Sequence, residues 1–186
     1  MKNYNIAVIV GSLRKESYNL KTAKALIEIA PDSLSMEIVS ISDLPMFNED
    51  LEANPPQEWT RFREQIKAAD GVLFLTPEYN RSVPGVLKNA IDVGSRPYGQ
   101  NCWAGKPGAV VSVSVGSICG FGANHHLRQS LVFVDVPTMA QPESYIGGAS
   151  ALFDDMGKLT NETTKKYLRV FMESYEKWVQ TLVREQ

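Results

Sequence analysis

The sequence is poor in the side chains that most often form disulfides and bind metals. It has two cysteines and two histidines among 186 residues. Cys102 and Cys119 are not part of a CxxC motif, and we expect two free thiols and a reducing, cytoplasmic compartment. His125 and His126 are adjacent and on a helix would point about 100° apart, so they are poorly placed to share a metal.

The chain also lacks a strong charge of one sign and a long apolar run. Its net charge of -2 gives no support for a general nucleic-acid or anionic-membrane surface. No apolar stretch approaches the roughly 20 residues that span a bilayer. The N-terminus MKNYNIAVIVGS fits a first strand better than a signal peptide. We therefore expect neither nucleic-acid binding nor membrane insertion.

Short apolar runs alternate along the chain with segments of helical spacing. Strands are predicted at 6–10, 36–39, 72–75, 109–115 and 136–139, with a helix after each. This alternation favours a mostly parallel sheet with helices on both faces. Five strands suit a flavodoxin-like three-layer sandwich with strand order 2-1-3-4-5. We expect the whole chain, 1–186, to form a single domain.

Polar loops that contain glycine follow three of the predicted strands, at 11–19, 77–84 and 116–124. In a parallel sheet, ligands bind at the carboxyl ends of the strands. We therefore expect the three loops to converge on one edge of the sheet and to form the functional site there.

The first loop, GSLRKESYN, has the donors that a phosphate group needs. Ser12, Ser17 and Asn19 supply neutral donors, Arg14 supplies a charged fork, and Gly11 lets the chain turn. A helix N-terminus adds free amides and the positive end of its dipole. The loop matches neither the ATP-type nor the dinucleotide-type glycine motif. The alternative is that Ser17 or Asn19 only caps the following helix.

The second and third loops are typical of a platform for a flat ligand. The second, TPEYNRS, joins the rigid Pro77 to the aromatic Tyr79, although it could also be an ordinary turn with Ser82 as a helix cap. The third is mostly glycine and small residues, including Gly116 and Ser117. Small residues permit close approach of a ligand, but they also suit a mobile lid or a subunit contact.

Two motifs together resemble a known family. G-S-x-R-x-x-S-x-N is present in full at 11–19, and T-P-E-Y-N-x-S-x-P-G-x-L-K-N-A-I-D is present in full at 76–92. With GKP at 105–107 and HLRQSLVF at 126–133, the whole chain resembles the NAD(P)H-dependent FMN reductases of flavodoxin-like fold, in their bacterial quinone and chromate reductase branch.

The resemblance implies a cofactor, FMN, held without a covalent bond. Its phosphate would contact the first loop, and its ring would lie between the other two, largely against backbone atoms. The cofactor-binding residues implied in this way are Ser12, Arg14, Ser17 and Asn19 for the phosphate, Pro77, Glu78, Tyr79 and Asn80 for the ring, Ser114, Gly116 and Ser117 for its other edge, and Ser82.

The expected reaction is a ping-pong hydride transfer from NAD(P)H through FMN to an acceptor, with no catalytic side chain. Quinones are the favoured acceptors, with chromate, azo dyes and free flavins as further ones. Candidate partners for a 2′-phosphate of NADPH are Arg14, Lys15, Arg81 and Arg96. The resemblance also implies homodimers or homotetramers, paired through the helices that follow the second and third loops, with the flavin near a subunit boundary.

Two other functions stay open at this point. A flavodoxin-like electron carrier would share the fold, but carriers typically have a T-x-T-G-x-T phosphate loop and a strongly acidic surface. A redox sensor that carries FMN without turnover would have the same sequence features. A hydrolase is disfavoured because no G-x-S-x-G motif is present. A further hypothesis pairs Arg81 with Glu143 across a subunit boundary.

Overall fold

A five-stranded parallel sheet forms the centre of the protein in a computed structural model, which describes residues 2–183. The strand order is β2-β1-β3-β4-β5, and every neighbouring pair is parallel. The predicted flavodoxin-like order is confirmed. The strands are β1 (Tyr4–Val10), β2 (Leu34–Ile38), β3 (Gly71–Thr76), β4 (Gly108–Val113) and β5 (Ser144–Ile146).

Five α-helices cover the two faces of the sheet. α1 and α5 pack on one face, and α2, α3 and α4 pack on the other. This is the predicted three-layer arrangement. The helices are α1 (Tyr18–Ile29), α2 (Gln57–Ala68), α3 (Gly85–Ser95), α4 (Phe121–Phe133) and α5 (Glu162–Leu182). None of them, within residues 2–183, combines the length and the apolar character that a membrane span would need.

The strands are apolar because both faces of the sheet are covered. Every residue of β3 and of β4 is buried. Along β1, Ile6 and Val8 face the layer of α1 and α5, whereas Ala7 and Ile9 face the layer of α2, α3 and α4. Residues of a strand alternate between the two faces of its sheet, so a run with no polar interruption is expected here.

The fifth strand differs from the prediction. It spans Ser144–Ile146 and pairs with Val111–Val113, whereas 136–139 forms only an isolated bridge between Thr138 and Gly108. Pro137 interrupts the earlier segment because it has no amide hydrogen to donate. β4 also ends at Val113, two residues earlier than predicted, and Val115 is exposed.

One close contact fixes α3 against the core. Gly94, in the last turn of α3, lies directly against the indole of Trp103, which is fully buried. The indole nitrogen donates a hydrogen bond to the Ile91 carbonyl at 3.1 Å. The ring also packs against Phe62 and Phe74, with centroids 5.8 and 5.6 Å away. Only a residue without a side chain fits at position 94.

Candidate functional site

The three predicted loops meet at the carboxyl edge of the sheet. There the ends of β1, β3 and β4 enclose a hollow of about 130 Å³, which is lined by the first two loops and by Val113–Val115, but by no residue of the predicted third loop 116–124. The hollow lies at the boundary between β1 and β3, where the strand order reverses. Ligands of open α/β sheets bind at such a point. Eight of the twelve predicted cofactor residues line the hollow, namely Ser12, Arg14, Ser17, Asn19, Pro77, Glu78, Tyr79 and Ser114.

The other four predicted residues do not line the hollow, and Ser82 lines a groove between α3 and α4 instead. Asn80 is at the tip of the second loop, and Ser82 contacts His126, with 3.0 Å between the serine oxygen and Nδ1. The Gly116 amide donates to the Ser114 hydroxyl at 3.1 Å, and the Ser117 carbonyl accepts from the Cys119 thiol. Their contact with a cofactor stays a prediction.

The first loop leads straight from β1 into the N-terminus of α1. The Gly11 amide donates to the Leu75 carbonyl at 2.8 Å, which continues the pairing of β1 with β3. A Cβ at position 11 would lie 2.9 Å from Leu87 Cδ2, so the glycine is needed for this close approach. Ser17 is the N-cap of α1, and its hydroxyl oxygen accepts from the Leu20 amide at 3.2 Å. Because the oxygen accepts, the hydroxyl hydrogen stays available to a ligand.

Arg14 and Asn19 add free polar groups to the same loop. Arg14 is exposed, and no ion pair holds it among the described residues. Asn19 is buried and donates from Nδ2 to the Val113 carbonyl at 3.3 Å, while its Oδ1 has no protein partner. Ser17 therefore caps α1, as the alternative interpretation expects. The Ser17 hydroxyl hydrogen and the Arg14 side chain remain as donors that the cap does not use.

The second loop contains a tight turn from Tyr79 to Ser82. Tyr79 and Ser82 exchange two backbone hydrogen bonds, at 3.1 and 3.0 Å. Asn80 and Arg81 between them have φ angles of 50° and 65°. Two central residues with positive φ define a type I′ turn, in which glycine is preferred at the second position. Tyr79 as a residue is 48% exposed and lines the hollow.

The third loop is tied to the sheet from behind. The Ser112 hydroxyl donates to the Cys119 carbonyl at 2.8 Å, and Asn124 donates to the Ser144 carbonyl at 3.3 Å. Ser112, Asn124 and Ser144 are completely buried. Cys119 itself has a positive φ of 59°. The loop is therefore held in a defined shape, which does not favour a freely moving lid.

Comparison with known proteins agrees with this geometry. The model of a family described as NADPH-dependent FMN reductase matches residues 4–151. The chain belongs to the NADPH-dependent FMN reductase family. As a member it is an oxidoreductase, with FMN as cofactor and NAD(P)H as reductant.

Relatives of this FMN reductase extend along almost the whole chain. A quinone reductase from Pseudomonas putida is 65% identical over 177 residues, which are 95% of each protein. A 2-hydroxy-1,4-benzoquinone reductase from a Burkholderia species is 47% identical over 94% of this chain and 95% of that protein. Among solved structures, the flavoenzyme FerB, an NAD(P)H:(acceptor) oxidoreductase from Paracoccus denitrificans, has a TM-score of 0.91 and 42% identity, over 96% of this chain and 98% of FerB.

The residues around the hollow fit FMN. Hydroxyl, guanidinium and helix N-terminal amide donors, which are the groups that bind phosphate, gather at the start of α1. The unpartnered Asn19 Oδ1 is an acceptor, for which the hydroxyls of the ribityl chain are suitable donors. The hollow is smaller than pockets that enclose a whole ligand, about 300–1,000 Å³. It would therefore take one end of FMN and leave the ring on its open side.

The carboxylate of Glu78 has a role that the sequence did not indicate. Its Oε2 accepts from the Ala123 amide in the first turn of α4 at 3.2 Å, and its Oε1 accepts from Arg81 at the same distance. Only 12% of the side chain is exposed. Glu78 therefore caps α4 and connects the second loop to the third. In sequence, the signal would be an acidic residue just after β3, together with a helix α4 whose N-cap residue, Gly120, has no side chain that could cap it.

The two cysteines and the two histidines have separate surroundings, and Cys102 lies near Arg63 and Lys106 rather than at the hollow. Both cysteines are free, and burial raises the pKa of the Cys102 thiol to about 11. His125 lies 3.1 Å from the Tyr145 hydroxyl, whereas His126 contacts Ser82. The histidines thus bond to different partners. Arg81 pairs with Glu78 within the chain, and its pairing with Glu143 across a boundary stays a prediction.

Proposed function

We propose that the protein reduces quinones with NAD(P)H, using FMN bound in the hollow and in the open cleft beside it. The observation that carries the proposal is that the ends of β1, β3 and β4 enclose one hollow, which is lined by the phosphate donors of the first loop. Quinone reduction is supported by the relatives from Pseudomonas putida and Burkholderia, whose names state that activity. Chromate, azo dyes and free flavins are further acceptors that we propose for the same cleft.

Each loop would have a separate task. Ser12, Arg14 and Ser17 would bind the phosphate, and Asn19 the ribityl chain. Pro77 and Tyr79 would orient the ring through backbone and aromatic contacts, and the third loop would approach its other edge. When bound, FMN would supply two-electron redox chemistry between NAD(P)H and the acceptor. No side chain of the protein has to act as nucleophile or general base.

The first test is whether the purified protein holds FMN and turns it over. After FMN is added and the excess is removed, we expect the protein to retain bound flavin and therefore its visible absorbance. It should bleach promptly when NADPH is added without oxygen, and return when a quinone is added. Retained absorbance that does not bleach would favour the electron carrier or the sensor. Loss of all flavin on removal of the excess would contradict the proposal.

We also propose that the donor and the acceptor occupy the same cleft in turn, which is a ping-pong scheme. Initial rates measured against both substrates should then give parallel lines in double-reciprocal plots. Intersecting lines would mean that the two substrates bind together.

The free thiols of Cys102 and Cys119 support a cytoplasmic location, where such thiols stay reduced.

A groove between α3 and α4 supports the proposed homo-oligomer. Its hollow measures about 540 Å³, larger than the one at the three loops, and Ile91 and Phe133 are part of its lining. No residue of the first loop contributes to it. Phe133 and its neighbour Val132 are 90% and 75% exposed. Apolar surface of this kind marks a contact between proteins, and we propose that a second copy covers it.

Replacing Phe133 with Asp should shift the protein towards monomers, because a charge would be buried at the contact without a partner. Sedimentation equilibrium of wild type and variant measures the shift. Met156, which is 89% exposed and far along the chain from α4, provides the control. Met156→Asp should leave the mass unchanged. If Phe133→Asp has the mass of the wild-type oligomer, the groove is not the subunit contact.

A further inference from the structure

Arg81 is held at the edge of the cleft in an unfavourable backbone conformation. It occupies the second central position of the type I′ turn, with φ at 65°. Glycine is the usual residue there, because a Cβ makes positive φ costly. Backbone strain of this kind concentrates at functional sites. The strain at Arg81 therefore indicates that the arginine side chain has a function that glycine could not fulfil.

The guanidinium of Arg81 is poorly compensated. Its side chain is 70% exposed, and among residues 2–183 its one ion pair is with Glu78 at 3.2 Å. That carboxylate already accepts from the Ala123 amide through its other oxygen. Most N–H groups of the arginine fork therefore face solvent. Such a fork binds phosphate through two parallel hydrogen bonds.

The location of Arg81 is suited to the part of the nucleotide that leaves the cleft. Glu78, which holds it, lines the hollow, so the guanidinium lies at the rim next to the ring platform. The hollow is too small to enclose a dinucleotide, so when a nicotinamide reaches the ring platform the adenosine half of the nucleotide has to lie outside the hollow, and this rim is one surface available to it. NADPH differs from NADH only by a phosphate on that adenosine ribose.

The other candidate cations are placed less well. Arg14 and Lys15 belong to the first loop, at the phosphate end of FMN. Arg96 is the C-cap of α3, at the other end of a helix that begins beside the cleft, and it pairs with Glu49 and Glu52 at 3.0 and 2.6 Å. Arg81 is therefore the one of the four that combines a place at the ring end with an open fork.

We propose that Arg81 binds the 2′-phosphate of NADPH and so makes the enzyme prefer NADPH to NADH. The proposal rests on the proposed function, because it assumes that the nicotinamide reaches FMN in this cleft. Glu78 acts as the internal counter-ion that keeps Arg81 at the rim before the nucleotide arrives. The phosphate would then add a second anion to a cation that one carboxylate only partly satisfies.

The test compares wild type with Arg81→Ala, Arg81→Gly and Arg81→Lys. We expect the ratio of kcat/KM for NADPH to that for NADH to fall about tenfold in the first two, and less in Arg81→Lys, which keeps the charge but not the fork. Arg81→Gly should also unfold at a higher temperature than Arg81→Ala, because glycine relieves the strain. Arg169→Ala removes an exposed arginine on the opposite face and should leave the ratio unchanged.

A binding measurement gives a readout that does not need turnover. Calorimetry on the FMN-loaded protein should show that 2′,5′-ADP binds about tenfold more tightly than 5′-AMP to wild type, but not to Arg81→Ala. If the wild type shows no such preference, or if Arg81→Ala keeps it, the proposal is overturned. A change in oligomeric state of Arg81→Ala, seen by light scattering, would assign Arg81 to a subunit contact instead. Absence of NADPH oxidation by wild type would count against the proposed function alone.

Discussion

Replacing Arg14 with Ala should weaken FMN binding about tenfold to a hundredfold. Arg14 is the arginine of the first loop, and within residues 2–183 no carboxylate forms an ion pair with it. A hydrogen bond to a charged group contributes about 1.5–3 kcal/mol, and each 1.4 kcal/mol is about a factor of ten in Kd. Titration of the apoprotein with FMN, followed by flavin fluorescence, measures the change.

Riboflavin separates the phosphate from the rest of the cofactor. It has the same ring and ribityl chain but no phosphate, so wild type should bind riboflavin more weakly than FMN. Arg14→Ala should leave the riboflavin affinity unchanged, whereas general damage to the variant would lower it. In Arg14→Ala the preference for FMN over riboflavin should shrink by the same factor as the FMN affinity. Arg61→Ala is the matched control, because Arg61 lies on α2, away from the hollow, where it pairs with Asp43 at 2.6 Å. An unchanged FMN preference in Arg14→Ala would remove the arginine from the phosphate site.

Replacing Gly94 with Ala should destabilise the protein by up to about 2 kcal/mol. The new Cβ would lie 2.3, 2.5 and 2.8 Å from three atoms of the Trp103 indole. The indole is held by its hydrogen bond to Ile91 and by two aromatic neighbours, so it has little room to move. Overpacking of a core costs about 1–3 kcal/mol, and here the clash should exceed the helix propensity gain of about 1 kcal/mol from Gly to Ala.

The same helix offers the control. A Cβ at Gly85, the first residue of α3, would meet nothing within 4 Å. Gly85→Ala should therefore be neutral or slightly stabilising. Urea denaturation of both apoproteins, analysed with a common slope, gives the free energies of unfolding. FMN has to be absent, because a bound ligand raises apparent stability by mass action. Equal stability of the two variants would contradict the packing argument.

The sequence was sufficient for the fold because its signals are local and repeated. Strands β1, β3 and β4 are covered on both faces, so each contains a run of at least four consecutive buried apolar or glycine residues. The parallel topology then brings the ends of those strands together, and with them eight of the predicted site residues. No contact between distant residues had to be known in advance.

The prediction of the fifth strand was wrong because β5 has no such local signal. It has three residues, too few to show a pattern, and it follows Gln141-Pro142 in a stretch without apolar periodicity. The more apolar 136–139 looked like the better strand. It reaches the sheet only at Gly108, before the point where β5 pairs with Val111–Val113. Pairing geometry, rather than composition, decides between the two segments.

Contacts between loops were also beyond the sequence. The bond from the Ala123 amide to Glu78 joins residues 45 positions apart and depends on how α4 approaches the second loop. The turn at Asn80 and Arg81 was harder still, because asparagine is common at its first central position but arginine is unusual at its second. Both features lie at the site, where local preference and global structure most often disagree.

The short outer strands of the sheet have a consequence for behaviour at high concentration. β2 has five residues and includes the exposed Glu37, and β5 has only three. A free strand edge invites a strand of another molecule to add to it, and short or charged edges resist this addition. The long apolar strands, which would aggregate most readily, are all in the interior of the sheet. We therefore expect the folded protein to resist fibril formation.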